Sequence, residues 1–488
     1  MTVQPNRDPA STVHGTFDLA RLPATDLLAG YRSGRFTPVD VIDEVIAALE
    51  ATDALCNIVV TDMYDAARAG AERAASAWAS GNATGALTGV PVTVKDLLFV
   101  AGVGAHAGAP TLARFVPNQD SAAVSALKSA GAVLTCKTTT CESGYKLTAD
   151  SPLTGVTRNP WRLDRTSGGS SGGAAAAVAA GCGPLAIGTD AVGSIRIPSS
   201  FCGVFGLKPT FGLVPRSPSF FPPSWGSLAH TGPIGRTVAD VALLLEVVAH
   251  YDQRDAASLP VGKRQFDASP GSLDGLRIAA SVDLGFATVA PSIRNAFTAA
   301  TQVLADLDAE IIELKTSLGT RLLEEVLQPI GFTEQAAAVM YRNAPEMAMS
   351  DAEFRSVVAK GQTFLGIEYV DALHKRARLR GRFSEIFESF DAIITPTVAV
   401  TAFAAGKIGV DTIEGQSVDA HLGWSPFSWP INLAGLPAAT VPCGFDIDGM
   451  PIGFQIIAPW LGESTIFRIA AAFEKAKPWA GYWPSFAR

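Results

Sequence analysis

Histidine is scarce in this 488-residue chain: His14, His106, His230, His250, His374 and His421 are all it has, and none stands in a recognisable metal or triad motif. HExxH is missing and GxSxG is met only inside the run Gly168 to Gly173, which argues against the zincin helix and leaves no separate serine-hydrolase elbow. A serine that carried chemistry here would need a base other than histidine. The six cysteines, Cys56, Cys136, Cys141, Cys182, Cys202 and Cys443, form no CxxC pair and no zinc-ligand spacing. Reduced thiols and no metal site are therefore expected. No run of eighteen apolar residues occurs, so a spanning helix is not expected. The start MTVQPNRDPASTVHG has no apolar stretch behind basic residues and reads as no secretory signal. Positive charge is also in deficit. Thirty-eight Lys and Arg stand against 46 Asp and Glu, a net charge of -8, which argues against a broad footprint for nucleic acid or an anionic membrane. The expectation is a cytoplasmic protein, monomer or homodimer, that handles a small molecule without a cofactor.

What is present is a large apolar fraction, 48% against 17% charged residues, the balance of a compact globular protein. Length alone suggests two or three domains. The first recognisable helix begins at Thr37-Pro38-Val39-Asp40, with Thr as cap, Pro at the first helical position and Asp three residues after the cap. Val41, Ile42, Val45, Ile46 and Leu49 then share one face, and a second helix over 64–78 returns against it. Gly89 to Lys95 is rich in β-branched residues and reads as a strand, with Thr93 and Lys95 on one face. SAAVSALKSAG followed by AVLTC gives a helix and then a strand, the rhythm of an α/β protein. An alanine-rich helix is expected from Ala174 to Ala180, another over 238–250, strands at 276–281, 391–397 and 438–456, and mostly helix over 290–390. The Gly, Pro and Ser clusters near 214–226 and 258–273 read as loops.

Two segments have the make-up of chemical turns. In Ser167-Gly168-Gly169-Ser170-Ser171-Gly172-Gly173, glycines open dihedrals closed to other residues, so two hydroxyls can sit in an unusual turn. A phosphate cradle is the competing reading, although the Lys-Ser/Thr ending of the P-loop is missing. Taken alone, the segment fits a functional and a structural role equally. In Gly188-Thr189-Asp190-Ala191-Val192-Gly193-Ser194-Ile195-Arg196, a tight turn before a serine presents successive backbone N–H groups, the donors an oxyanion needs. Alone, this second segment reads first as an ordinary turn.

Together, GGSSGG, GTDAVGSIRIPSSFCGVFGLKPT and the upstream VTVKD resemble the amidase signature family. Lys95, Ser170 and Ser194 lie 75 and 24 residues apart, the family's arrangement. The similarity runs on through Gly155 to Trp161, Gly232-Pro233-Ile234 with Arg236, Thr395-Pro396-Thr397 and Gly435 to Pro442. The resemblance implies one α/β/α layered domain over 1–488, with a mixed central sheet, an N-terminal helical segment 17–80 and a variable pocket segment 290–390. It implies Ser194 as nucleophile, Ser170 beside a cis peptide as proton relay and Lys95 as base. Ala191, Val192 and Gly193, with the Ser194 amide, would form the oxyanion hole, and Ser171, Asp190 and Arg196 would hold the site together. An unshifted lysine is a poor base, since keeping it neutral at pH 7 costs about 4.6 kcal/mol. Burial has to lower that cost, and Asp96 has to point elsewhere.

For the substrate, Gly144 and Tyr145 align with the family's acyl-pocket border. Phe220 and Phe221, in the aromatic stretch Ser217 to Trp225, are expected to line an apolar site. Trp424, Phe427 and Trp429 are candidates for the same wall, and Val192, where relatives often have Gly, is expected to narrow the pocket. Small neutral aryl or alkyl amides come first, with carbamates and esters open. The glutaminase subunit of a tRNA-dependent amidotransferase is the alternative, and a noncatalytic nucleotide-binding protein the reading from another class.

Overall fold

The computed structural model describes residues 18–485 except 316 and 320. An eleven-stranded mixed sheet runs through the molecule in the order Val59–Asp62, Val133–Thr138, Pro91–Lys95, Leu185–Asp190, His230–Gly235, Phe205–Lys208, Ala438–Phe445, Pro451–Ile457, Ala392–Pro396, Arg277–Ala280 and Glu310–Glu313. Pairing is parallel from Val133–Thr138 through Pro91–Lys95 to Leu185–Asp190, and parallel again among the last three strands. The remaining pairs are antiparallel. One sheet with surrounding helices makes a single α/β domain, rather than the two or three that length suggests.

Local chemistry explains the elements that matter for the site. The helix Pro38–Cys56 starts as its sequence says. Thr37 Oγ1 accepts from the Asp40 N–H at 3.3 Å, and the Asp40 carboxylate accepts from the Thr37 N–H at 2.8 Å, so two orphan donors of the first turn are satisfied. An earlier helix, Ala24–Ser33, precedes it and ends at Gly34. Its ten residues bury only Ala24, Leu27, Gly30 and Tyr31, too short a stripe to stand out as a period. The segment 290–390 is mostly helical, but the strand Glu310–Glu313 interrupts it at the sheet edge.

Pro91–Lys95 is buried at all five positions, as a strand flanked by two parallel neighbours requires. It delivers Lys95 at its carboxyl end. Leu185–Asp190, its parallel neighbour, ends at Asp190 and pairs on its other edge antiparallel with His230–Gly235. Helix Gly172–Ala180 is buried at every residue, which its Gly and Ala composition permits because small side chains let the helix lie close to the sheet. No helix among the described residues is long and apolar enough to cross a membrane.

Candidate active site

The glycine-rich segment brings its hydroxyls beneath Lys95. The Gly169–Ser170 peptide is cis. A Cβ on Gly169 would stand 2.2 Å from the Thr148 backbone carbon, so only glycine allows that approach. Lys95 Nζ lies 2.8 Å from Ser170 Oγ, 2.9 Å from Ser171 Oγ and 2.9 Å from Thr189 Oγ1.

Two arrangements of protons satisfy these contacts. Ser171 Oγ donates to the Thr189 carbonyl at 3.1 Å, leaving it to accept from Lys95. With Lys95 neutral, its N–H groups would serve Ser171 and Thr189 and its lone pair would face the Ser170 hydroxyl; with Lys95 charged, its third N–H donates to Ser170. Lys95 is fully buried, and burial pushes its ammonium down to about 7, against the opposing influence of Cys141 and Asp190. Asp96 does point elsewhere. Its carboxylate takes Lys137 Nζ at 2.9 Å and the His106 N–H at 3.0 Å.

Ser194 sits in a turn built around Asp190. Asp190 Oδ1 accepts from the Gly193 N–H at 2.8 Å, and Oδ2 accepts from the Ile195 N–H at 3.1 Å. Arg196 closes on both oxygens, Nε to Oδ2 and Nη2 to Oδ1, each at 2.9 Å. Burial alone would raise the Asp190 carboxyl, but Arg196, with Lys208 and Asn432 behind it, holds it below the usual range. Arg196 is anchored in turn by the Ser428 carbonyl at 3.0 Å, by Gln455 Oε1 at 2.6 Å and by Asn432 Oδ1. His230 is buried and, held down by burial and Lys208, is neutral. Its Nδ1 lies 3.1 Å from the Asp190 carbonyl. That ring has no place at the nucleophile.

Gly193, expected as an oxyanion donor, has its N–H committed to Asp190. The N–H groups of Ala191, Val192 and Ser194 meet no acceptor among the described residues, so the free donors are these three. Gly193 has φ 131°, and a Cβ there would reach Ser428 Oγ at 2.6 Å, so its role is conformational. Ser194 Oγ is buried without a hydrogen-bond partner, and Ser170 donates no hydrogen bond to it in this conformation. Such contacts commonly tighten only when substrate is bound.

A cavity opens over these hydroxyls. Ser170, Thr189, Ala191 and Ser194 form its floor, and Gly144, Phe220 and Phe221 lie in its wall. Phe220 packs edge-on against Phe99, with centroids 4.8 Å apart, while Phe221 is 91% exposed at the mouth. Tyr145 does not line the cavity. It is buried with its ring against Phe354 and His421, because the turn at Gly144 sends the next side chain into the core. Trp424 packs on Phe201 and Phe403, Trp429 on Phe286, and Phe427 is fully buried, so none of these three forms the wall. Val192 is also buried and is not part of the cavity lining, so its side chain does not narrow the pocket as expected. Trp225, at the end of the same aromatic stretch, also lines the cavity, and Leu97, Thr189, Arg216 and Arg342 do so without having been expected. Thr189 lies inside the second turn motif and was open to discovery there, whereas nothing local marks the two arginines.

A family model described as Amidase matches residues 40–467. The chain is 34% identical over 469 residues to an acylamidase from Rhodococcus erythropolis, covering 95% of this chain and 97% of the relative. It is 36% identical over 426 residues to a glutamyl-tRNA(Gln) amidotransferase subunit from Thermosynechococcus vestitus (strain NIES-2133 / IAM M-273 / BP-1), covering 82% and 86%. Among solved structures, a bacterial aryl acylamidase superposes with a TM-score of 0.88 at 28% identity, covering 94% of this chain and 97% of that one.

Proposed function

Because the chain belongs to the amidase signature family, a family of hydrolases of C–N bonds, we propose that it cleaves small aryl or alkyl amides through an acyl-enzyme on Ser194. Neutral Lys95 takes the proton of Ser170 as Ser170 takes that of Ser194. Ser194 Oγ then attacks the carbonyl carbon, and the oxyanion is met by the N–H groups of Ala191, Val192 and Ser194. The proton returns along the same path to the leaving nitrogen, the C–N bond breaks and the amine departs. Water, deprotonated by the same relay, releases the acid and restores Ser194.

The observation that carries this reading is the 2.8 Å contact of a lysine near pKa 7 with Ser170. At that value the cost of a neutral base at pH 7, about 4.6 kcal/mol for an unshifted lysine, falls to nearly nothing. The names of the acylamidase relatives and the apolar wall at Phe220 support aryl or alkyl amides. Carbamates and esters offer the same carbonyl chemistry and belong to the proposal as side activities. Six buried free thiols support a reducing, cytoplasmic setting, and the proposal keeps to a monomer or homodimer acting on a small molecule.

A fluorophosphonate should modify Ser194, seen as a mass increase on its peptide. Ser194→Ala should lose at least ~10^3 in kcat at an unchanged melting temperature, since no hydrogen bond of its hydroxyl is lost. A folded enzyme left unlabelled would overturn the assignment. The amidotransferase relatives favour glutaminase activity as the second reading. Ammonia release from glutamine, with anilides left intact, would select it.

A further inference from the structure

The cavity over Ser194 is lined by two arginines and by no aspartate or glutamate, in a chain whose net charge is -8. The two guanidinium groups differ. Arg342 is neutralised, with Nη1 donating to Glu142 Oε1 at 2.7 Å. Arg216 is not: Nη1 donates to the Gly226 carbonyl at 3.0 Å, and no carboxylate among the described residues forms an ion pair with its side chain. The two carboxylates that favour its charge are engaged elsewhere. Asp255 accepts from the backbone N–H groups of Arg216 at 2.6 Å and Ala257 at 3.0 Å. Glu334 accepts from the Ser227 N–H at 3.2 Å and the Tyr369 hydroxyl at 3.3 Å.

A guanidinium keeps its proton even where burial disfavours it. Without a direct ion pair, it carries a desolvation penalty that an oxyanion in the cavity would offset. Resting on the amidase reading, we propose that Arg216 is a specificity residue that receives a carboxylate on the substrate, away from the scissile bond. The preferred substrates are then amides that carry an acid group. The planar fork suits a carboxylate through two parallel hydrogen bonds. One cation without an ion-pair partner suits one negative charge, whereas a phosphate dianion would need a second, and Arg342 is committed to Glu142. Leu97, Leu98 and Phe220 leave the rest of such a ligand in apolar contact.

Binding to the intact enzyme tests this without turnover. Calorimetry with 3-phenylpropanoate, 3-phenylpropanol and 3-phenylpropylamine should give the carboxylate an affinity about tenfold or more above both others. Arg216→Gln should erase that advantage and Arg216→Lys should keep part of it. A merely structural arginine would shift all three ligands together. The proposal is overturned if the wild type binds the alcohol or the amine as well as the acid, or if the advantage survives in a folded Arg216→Gln. Should that variant not fold, the wild-type comparison decides. Selective binding of the acid by an enzyme that hydrolyses no amide would sink the amidase reading alone.

Discussion

Lys95, the proposed base, has its proton affinity set by where it is held. Its pKa near 7 comes from burial working against Cys141 and Asp190, so the neutral form dominates above that pH and the ammonium below it. With Lys95 as the proposed base, activity is therefore expected above pH 7 and expected to be lost as pH falls through it. The kcat/KM of amide hydrolysis is expected to drop tenfold per unit below about pH 7, with a single proton taken up. A profile flat from pH 5 to 9 would remove Lys95 from the role of base. Ser171 contributes to the same balance, since its hydroxyl, turned to Thr189, frees the lysine lone pair for Ser170.

The turn Asp190–Ser194 and the helix Arg196–Cys202 behave as one element because a buried ion pair fastens them. Asp190 collects the N–H groups of Gly193 and Ile195, and Arg196 ties that carboxylate to Asn432 and Gln455 on distant strands and helices. Removing one member leaves a buried charge without its counterpart. Arg196→Ala is expected to cost about 3–5 kcal/mol of folding stability, measured from urea unfolding, together with loss of activity as the N–H donors lose their aim. A variant with wild-type stability would mean that the turn holds its shape without the pair. Sequence showed this element as a glycine turn beside a serine. It did not show that the Gly193 N–H was already taken, because that depends on which way the Asp190 side chain folds back.

Across the whole molecule, remote segments meet at buried carboxyls. Asp240 Oδ1 accepts from the Thr25 N–H at 3.1 Å, and Glu474 accepts from the Val238 N–H at 3.3 Å, joining helix Ala24–Ser33, helix Val238–Val248 and helix Glu463–Ala476. Burial raises Asp240 to about 6, helped by Asp26 and opposed by backbone N–H groups. It raises Glu474 to about 7, helped by Asp240. With folded values above the unfolded ones, each favours folding in its protonated form, and that contribution is whole below about pH 4 and is lost as pH rises from there through 6 to 7. Glu474→Gln should therefore melt above wild type at pH 8 and no higher at pH 4. Equal melting at pH 8 would show that the carboxyl ionises without penalty. The sequence by itself determined the α/β alternation and the capped helix at Thr37, while Lys95, Ser170 and Ser194 were singled out by resemblance to a family motif. These rest on backbone periodicity, capping and motif chemistry, which are local. Tertiary structure alone decided that Tyr145, Val192 and Trp424 turn into the core while Arg216 faces the cavity. A side chain's exposure depends on what segments hundreds of residues away pack against it, and no local pattern carries that information.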